Sequence, residues 1–297
     1  MGHFPTRILL ATDGSEDASR ALHAAVDLSS RTASELHVVH AWQALPEYSH
    51  PSIALASDSA LYEREAQRIL FEQLDAVETA GGVATGAHLR RGRAVEVITD
   101  LSEELEAGLV VVGSRGLGPV GRLVMGSVSE GVVDLASRPV LVVRGGGEAW
   151  PPGCIVVGED GSGGAREASE LAAGIGSVFG AEVILVRAHP VILPMDEASR
   201  LSRASPIGIP QDVRAHHEGA LMERAYRLQE ELGYRPRIRV IGGEPASVLL
   251  EVAEERGGAS LICVGRRGLG MMDRLRLGSV STKVLRAARG PVLVCPS

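Results

Sequence analysis

Residues 111–133 read VVGSRGLGPVGRLVMGSVSEGVV and place glycines at fixed intervals directly after an apolar run. The residues of the pattern G-x2-G-x9-G-S in this stretch are Gly113, Gly116, Gly126 and Ser127. The apolar run predicts a buried strand at 108–113, and the residues beyond the loop predict a helix at about 126–137. The stretch therefore indicates a strand, a glycine-rich loop and a helix start in succession.

The same pattern recurs without a gap in residues 263–285, CVGRRGLGMMDRLRLGSVSTKVL. Its members there are Gly265, Gly268, Gly278 and Ser279. A second matching pair, ATDGSEDASRALHAAVDLS from residue 11 and GEDGSGGAREASELAAGIG from residue 158, keeps the same order. Repeats in matching order indicate a duplicated unit. We expect one domain at 1–146 and a second domain at 154–297. The sequence between them, GEAWPPG at 147–153, is rich in Gly and Pro and is typical of a linker.

Short apolar strands alternate with helical patterns through the first copy. RILLAT and ELHVVHA predict buried strands, and the residues between them have helical spacing. Ser15 precedes this helix as a candidate N-cap. The apolar face of the helix is predicted to carry Ala18, Leu22, Ala25 and Val26. The other predicted elements are a loop at 43–57, helices at about 58–80 and 94–106, and strands near 85–90 and at PVLVV.

The second copy repeats this alternation. Its predicted strands lie near 154–158, 182–187, 237–241, 260–264 and 291–295. Strands that alternate with helices form right-handed crossovers, which give a parallel sheet covered by helices on both faces. We therefore expect two tandem doubly wound α/β domains. Ligands bind such sheets beyond the carboxyl ends of the strands, and both the glycine loop and the TDGS or EDGS loop after strand one begin there.

The glycines near each helix start have two open interpretations. The unpaired N–H groups and the positive dipole end of a helix N-terminus attract anions, and a glycine there lets phosphate oxygens approach the backbone. The hydroxyls of Ser127 and Ser279 would add donors, as would Ser129 and Ser281 two residues further on. The alternative is tight packing of the loop against the sheet, with the serine acting as a simple N-cap.

Bulk properties exclude several classes of protein. The 297 residues carry a formal net charge of −7, which argues against a general nucleic-acid surface. No apolar run is long enough to span a membrane, and the N-terminus lacks the pattern of a signal peptide. The three cysteines, Cys154, Cys263 and Cys295, are too scattered for a disulfide framework or a zinc site. We expect a cytoplasmic protein that contacts neither nucleic acid nor membrane.

Both copies resemble the universal stress protein family, and the whole chain is similar to its tandem, two-domain members. In that family the G-x2-G-x9-G-(S/T) pattern distinguishes the members that bind ATP. The resemblance implies a five-stranded parallel sheet in the order 3-2-1-4-5 in each copy. It also implies that strand five pairs with its counterpart in a partner domain. The two halves would then form an internal pseudo-dimer, from which a homo-oligomer could be built.

The resemblance also assigns site residues by position. Asp13 and Asp160 match an acidic contact to the nucleoside, while Ala41, Ala188, Ala11 and Gly158 match positions beside the adenine. The predicted first site consists of Ala11, Asp13, Ala41, Gly113, Gly116, Gly126, Ser127, Val128 and Ser129. The predicted second site consists of Gly158, Asp160, Ala188, Gly265, Gly268, Gly278, Ser279, Val280 and Ser281. On residue type alone, Asp13 and Asp160 could instead cap the helix that follows.

The two copies differ at two positions near the predicted sites. Thr12 becomes Glu159, which adds a carboxylate beside Asp160 and is expected to repel a polyphosphate. Ser114 becomes Arg266, so that two adjacent arginines, Arg266 and Arg267, follow the strand in the second copy. These changes act in opposite directions, and the sequence leaves open which site is weaker.

The favoured function is an ATP-binding regulator of the stress response. Mg²⁺ or Mn²⁺ would be held mainly by the phosphates, since no cluster of carboxylates has ligand spacing, and no residue has a predicted catalytic role. A slow ATPase or autophosphorylating enzyme is the alternative, although no general base is evident beside the glycine loop. A scaffold with empty sites is a further alternative. A dinucleotide oxidoreductase is disfavoured because its glycine fingerprint would follow strand one.

Overall fold

The computed structural model describes residues 4–43, 59–115, 125–144, 150–189, 209–256, 260–268 and 277–296. The chain divides into two compact units, one spanning 3–144 and the other beginning at 145 and ending at 297. Of the predicted loop at 43–57, residues 44–57 fall outside the described residues, as do residues 147–149 of the predicted linker at 147–153.

The first unit alternates strands and helices as the sequence predicts. Its strands are β1 (Arg7–Ala11), β2 (Glu35–Trp42), β3 (Ala84–Arg91), β4 (Leu109–Gly113) and β5 (Val140–Val143). Its helices are α1 (Glu16–Thr32), α2 (Ser59–Thr79), α3 (Ala94–Glu104) and α4 (Ser127–Leu135). The predicted helix at 94–106 ends earlier, because Glu106 adopts a left-handed conformation with φ 49° that a helix cannot continue through.

The sheet of the first unit has the strand order β3-β2-β1-β4-β5, with parallel pairing throughout. β1 lies at the centre, where Leu10 is in register with Val38 on one side and Val111 on the other. β1, β4 and β5 are buried almost completely, as expected for strands covered on both faces. Because β1 and β4 are neighbours, the loops that follow them begin side by side.

The local sequence of helix α1 determines where the helix begins and which of its faces is buried. The hydroxyl of Ser15 accepts a hydrogen bond from the Ala18 amide at 3.2 Å, which confirms the predicted N-cap. The predicted apolar face is buried, and Ala25 is 0% exposed. The helix ends at Ala33, whose φ of 56° places it in the left-handed region. Helix α1 thereby covers the centre of the sheet and starts beside the glycine loop.

The second unit repeats this architecture. Its strands are β6 (Cys154–Gly158), β7 (Glu182–His189), β8 (Arg237–Gly242), β9 (Ser260–Gly265) and β10 (Val292–Cys295). Its helices are α5 (Gly163–Phe179), α6 (Gln211–Leu232), α7 (Pro245–Glu254) and α8 (Ser279–Ala287). The strand order is β8-β7-β6-β9-β10, again with parallel pairing. Each half thus has the predicted order, with the first strand of the half at the centre.

Candidate functional site

A cavity of about 310 Å³ lies at the carboxyl ends of β6, β7 and β9 in the second unit. This volume falls at the lower end of the range for small-molecule sites. All nine residues predicted for the second site line it, namely Gly158, Asp160, Ala188, Gly265, Gly268, Gly278, Ser279, Val280 and Ser281. They come from three strand ends and one helix start, and the fold brings them together around one space.

The cavity is also lined by residues that the sequence analysis did not predict. These further lining residues include Val186, Arg187, Pro245, Leu249 and Val264. Leu249 comes from α7, and an added Cβ at Gly158 would lie only 2.9 Å from its Cδ1 atom. Position at the carboxyl end of a parallel strand was the available signal for Val186, Arg187 and Val264. No local pattern marks Leu249, because its place depends on how α7 packs against β6.

Close backbone packing explains several glycines of the motif. A Cβ at Gly278 would lie 2.9 Å from the Arg266 carbonyl oxygen, and one at Gly265 would lie 2.8 Å from the Ala165 amide nitrogen. The first unit repeats this arrangement. A Cβ added at Gly126 would lie 3.2 Å from the Ser114 carbonyl oxygen, and one added at Gly113 would lie 2.6 Å from the Asp17 carbonyl carbon. The packing interpretation of the glycines therefore has direct geometric support, and the packing brings the loop to the helix start.

The serines of the motif have two different environments. The N-caps of α4 and α8 are Gly126 and Gly278, so the interpretation of Ser127 and Ser279 as N-caps is wrong. Both serines are exposed at the first helical position. The amides of the first turn have no acceptor within an α-helix. This end of each helix therefore presents N–H groups next to an exposed hydroxyl.

Ser129 and Ser281 are buried and hold the loop to the helix. The Ser129 hydroxyl lies 2.9 Å from both the Ser114 and the Gly126 carbonyl oxygens. Ser281 repeats this, at 2.9 Å from the Arg266 carbonyl and 3.0 Å from the Gly278 carbonyl. A serine hydroxyl has a single proton to donate. In this conformation that proton is directed at a carbonyl of the loop.

Asp13 and Asp160 shape the loop after the first strand of each half. Asp13 Oδ1 accepts a hydrogen bond from the Ser15 amide at 3.0 Å, and Asp160 Oδ1 accepts one from the Ser162 amide at 2.9 Å. Their other carboxylate oxygen is not needed for this turn. A Cβ at Gly268 would lie 2.6 Å from Asp160 Oδ2, so any side chain at that position would meet the carboxylate.

Glu159 is directed towards a helix of its own unit. It is buried, and its Oε2 lies 3.7 Å from Nε of Arg224 on α6. Burial raises the pKa of Glu159, and the Arg224 charge opposes that rise. The expected repulsion of a polyphosphate is therefore countered by a guanidinium group beside the carboxylate. In the first unit the corresponding contact is neutral, since the Thr12 hydroxyl donates to Gln73 Oε1 at 2.8 Å.

The first unit places its predicted residues at matching positions. Ala11 ends β1, Ala41 is the penultimate residue of β2, Gly113 ends β4, and Ser127, Val128 and Ser129 open α4. Gly116 lies outside the described residues. The loop after β4 has one feature that the second unit lacks, because Asp17 lies beneath it. Asp17 Oδ2 accepts a hydrogen bond from the Ser114 hydroxyl at 2.6 Å and lies 3.5 Å from Arg115 Nε.

Two further features bear on function. Among the described side chains, no group of three or more His, Cys, Asp or Glu residues is arranged to hold a metal ion. In the part of the chain that the structure describes, none of the helices combines the length and apolar character needed to cross a membrane.

Comparisons with known proteins place the chain in a family. The model of the universal stress protein family matches residues 5–144 and again residues 154–296. A universal stress protein of Mycobacterium tuberculosis strain H37Rv is 30% identical over 302 residues, which cover 97% of this chain and 96% of the relative. A universal stress protein of Mycolicibacterium smegmatis is 29% identical over 299 residues, with the same coverage of 97% and 96%.

A solved structure shares the fold across both halves. The crystal structure of a universal stress protein from Archaeoglobus fulgidus matches with a TM-score of 0.68 and 24% identity, and 98% of each chain is covered. The likeness to that structure concerns the fold alone. The two family-model matches fall on the two halves described above. The chain therefore belongs to the universal stress protein family and carries two copies of its domain in tandem.

Proposed function

We propose that this protein binds ATP in each half and acts as a nucleotide-dependent regulator in the stress response. The observation that carries the proposal is the cavity of the second unit, which all nine residues predicted for the second site line together. The matching positions of the first unit would form the other site. The internal pseudo-dimer and a homo-oligomer built on it stay predictions.

The chemistry of the cavity fits a nucleotide. Leu249 and Val264 provide apolar surface for a base, and Asp160 provides a carboxylate that can accept hydrogen bonds from sugar hydroxyls. At the other end, the N-terminus of α8 and the Ser279 hydroxyl provide donors for phosphate oxygens. Mg²⁺ or Mn²⁺ would be held mainly by the phosphates, and the protein would contribute loop N–H groups and hydroxyls.

Calorimetric titration of the full chain with ATP, with and without Mg²⁺, tests the proposal. We expect two equivalents of ATP per chain. Gly278→Ala should remove one of them, because the new Cβ must displace the Arg266 carbonyl and with it the loop. Gly163→Ala is the matched control: it also lies at a helix start of the second unit, and its Cβ would meet nothing within 4 Å. It should leave the stoichiometry unchanged.

Two results would contradict the proposal. Absence of ATP binding by the folded wild-type chain would reject nucleotide binding itself. Hydrolysis of bound radiolabelled ATP within seconds in a single-turnover assay would favour the enzymatic alternative, since typical enzymes turn over at about 1–1000 per second. We expect bound ATP to persist far longer, because no residue has been assigned as a general base beside the phosphate end.

A further inference from the structure

We propose that the first unit binds a zinc ion between His37 of β2 and His88 of β3. The ion would connect β3, the edge strand of this sheet, with its neighbour. The site lies away from the predicted nucleotide positions, since His37 comes four residues before Ala41 in β2, about 13 Å along a strand. The proposal goes beyond nucleotide binding and does not depend on it.

Two imidazole nitrogens face each other across β2 and β3. His37 Nδ1 lies 3.1 Å from His88 Nε2, and both side chains are half-buried, so that the pair is accessible from solvent. Nitrogen ligands about 2.0–2.1 Å from a tetrahedral zinc ion lie about 3.3–3.4 Å apart. The observed separation is close to that value, so small rotations of the two rings would bring both nitrogens onto one ion. Water would complete the coordination.

Gly86 provides the space in which the two rings meet. It is in register with His37 across the two strands, and an added Cβ would lie 2.4 Å from His37 Nδ1 and 3.0 Å from His88 Nε2. Any side chain here would therefore displace the two nitrogens. At the positions of His37 and His88 the second unit has Ile184 and Arg239, so the pair is confined to the first half.

The surroundings of His88 favour the neutral ring. Burial lowers the pKa of His88, and the nearby His37 and Arg90 lower it further, against the opposing effect of Glu104. Neutral imidazole is the form that binds a metal ion. At neutral pH the ring of His88 is thus in the state that a zinc ligand requires.

Glu35 lies where a zinc-binding histidine has its carboxylate partner. His37 Nε2 is buried, has no hydrogen-bond partner among the described residues and lies 3.8 Å from Glu35 Oε2. When Nδ1 binds the ion, Nε2 carries the ring proton and faces this carboxylate, as in most histidine ligands of zinc. Arg7 pairs with Glu35 at 2.9 Å, and Arg90 pairs with Glu104 at 3.0 Å, so the charges around the two histidines balance.

A second pair of histidines has less favourable surroundings for a cation. His217 Nε2 lies 3.4 Å from His189 Nδ1 in the second unit. Burial lowers the pKa of His217, and the groups that add to this effect, Arg187, His189 and His216, include no carboxylate. Positive charge beside the pair opposes the binding of a doubly charged ion. This pair is therefore the internal control for the first.

Calorimetric titration of the full, untagged chain with Zn²⁺ in the absence of nucleotide tests the proposal. We expect one equivalent of zinc per chain. His88→Gln removes a ligand, and Gly86→Ala places a methyl group against His37 Nδ1. Each should weaken zinc binding at least about tenfold, since even the loss of a second-shell partner typically costs that much. His217→Gln is the matched control and should leave the zinc affinity unchanged.

Nuclear magnetic resonance of protein labelled with ¹⁵N at histidine assigns the site. Zinc should shift the signals of His37 Nδ1 and His88 Nε2 and leave those of His189 and His217 in place. Mg²⁺ should shift none of them, because it prefers oxygen ligands.

Several outcomes would overturn the proposal. These are the absence of zinc binding by the folded wild-type chain, binding that His88→Gln leaves unchanged, and binding that only His217→Gln removes. Circular dichroism checks the fold of each variant. If His88→Gln does not fold, the nitrogen shifts of the wild type decide, and unshifted His37 and His88 signals reject the site. Titration with ATP is a separate measurement, so failure of the zinc site leaves the proposed function standing.

Discussion

Thr12 and Glu159 occupy the same position, directly after the central strand of each half, and the side chains that contact them also differ. Thr12 donates to Gln73 in the first unit, and Glu159 faces Arg224 in the second. The Thr12 carbonyl lies 2.8 Å from His40 Nδ1, and the Glu159 carbonyl accepts a hydrogen bond from Arg187 Nη1 at 3.3 Å. The uncharged Thr12–Gln73 pair of one half thus corresponds to the charged, largely buried Glu159–Arg224 pair of the other. A buried charge is tolerated only with its partner, so the residues of each pair are not exchangeable singly.

For these residues, we predict that the effects of Glu159 and Arg224 on the free energy of unfolding are strongly coupled. Arg224→Gln leaves a buried carboxylate facing an amide and should cost about 3 kcal/mol of unfolding free energy. Adding Glu159→Thr, which introduces the first unit's pair, should recover most of that loss. Arg227→Gln, on the same helix but in an exposed ion pair with Glu223, should change stability by less than about 0.5 kcal/mol. Urea unfolding followed by circular dichroism measures all three.

A double variant no more stable than Arg224→Gln alone would show that the coupling is absent. In that case Arg224 would stabilise the protein through other contacts, of which the one with Glu170 at 3.5 Å is the nearest candidate.

Among the elements, α7 and its counterpart α3 begin differently. Glu244 caps α7, since its Oε2 accepts a hydrogen bond from the Ser247 amide at 3.0 Å. Its Oε1 accepts another from Lys283 of α8 at 3.0 Å. The corresponding residue before α3 is Arg93, whose side chain makes no cap hydrogen bond. The cap in the second unit therefore also connects α7 with the helix whose N-terminus lines the cavity.

We predict that the stability contributed by this cap depends on acidity. Burial acts to raise the pKa of Glu244, but the hydrogen bonds from Ser247 and Lys283 outweigh it and lower the pKa from 4.5 to about 2. A lowered folded-state pKa stabilises the fold above the unfolded value, so the contribution is complete above about pH 4.5 and is lost as the pH falls towards 2. The side chain is 42% exposed, so solvent screening limits the effect to about 1 kcal/mol.

The measurement compares Glu244→Gln with the wild type in urea at several pH values. The difference in unfolding free energy should be largest near pH 7 and should shrink as the pH approaches 2. Glu251→Gln, an exposed change on the same helix, is the control. A difference that stays constant over this range would mean that the charge of Glu244 does not carry the effect.

In the whole molecule, the reactivity of the three cysteines measures the unfolding of the second unit only. Cys154, Cys263 and Cys295 are all buried in the second unit, and the first unit contains none. Burial raises the pKa of Cys154 to about 11 and raises the pKa of Cys263 and Cys295 above the ordinary thiol value. The thiolate is the reactive form. Labelling at pH 8 should therefore require unfolding of the second unit.

We predict that a thiol reagent labels the native protein far more slowly than the urea-unfolded protein, and that ATP slows it further. A ligand present at 100 times its Kd stabilises the form that binds it by about 2.7 kcal/mol, so labelling should slow about 100-fold when opening limits access. Gly278→Ala should abolish this protection, whereas Gly163→Ala should keep it. Rapid labelling of the folded chain would contradict the burial of the thiols.

The sequence by itself determined the features that depend on neighbours along the chain. Periodicity located the strands and helices to within a few residues, and Ser15 identified the start of α1, because these signals arise from contacts within one or two turns. The duplication was visible from spacing alone. The glycine pattern predicted a strand, a loop and a helix start, and the nine residues predicted for the second site, from this pattern together with the family resemblance, do line one cavity.

Tertiary structure alone decided the contacts between segments far apart in the sequence. The pairing of Glu159 with Arg224, the hydrogen bond from Ser114 to Asp17 and the place of Leu249 in the cavity depend on which helix packs on which strand. No local period encodes such contacts. The same holds for the motif glycines, whose spacing was compatible with packing and with phosphate binding. The backbone atoms that lie close to Gly113, Gly265 and Gly278 show that packing requires these glycines, since such distances are set by two backbones meeting in the folded chain.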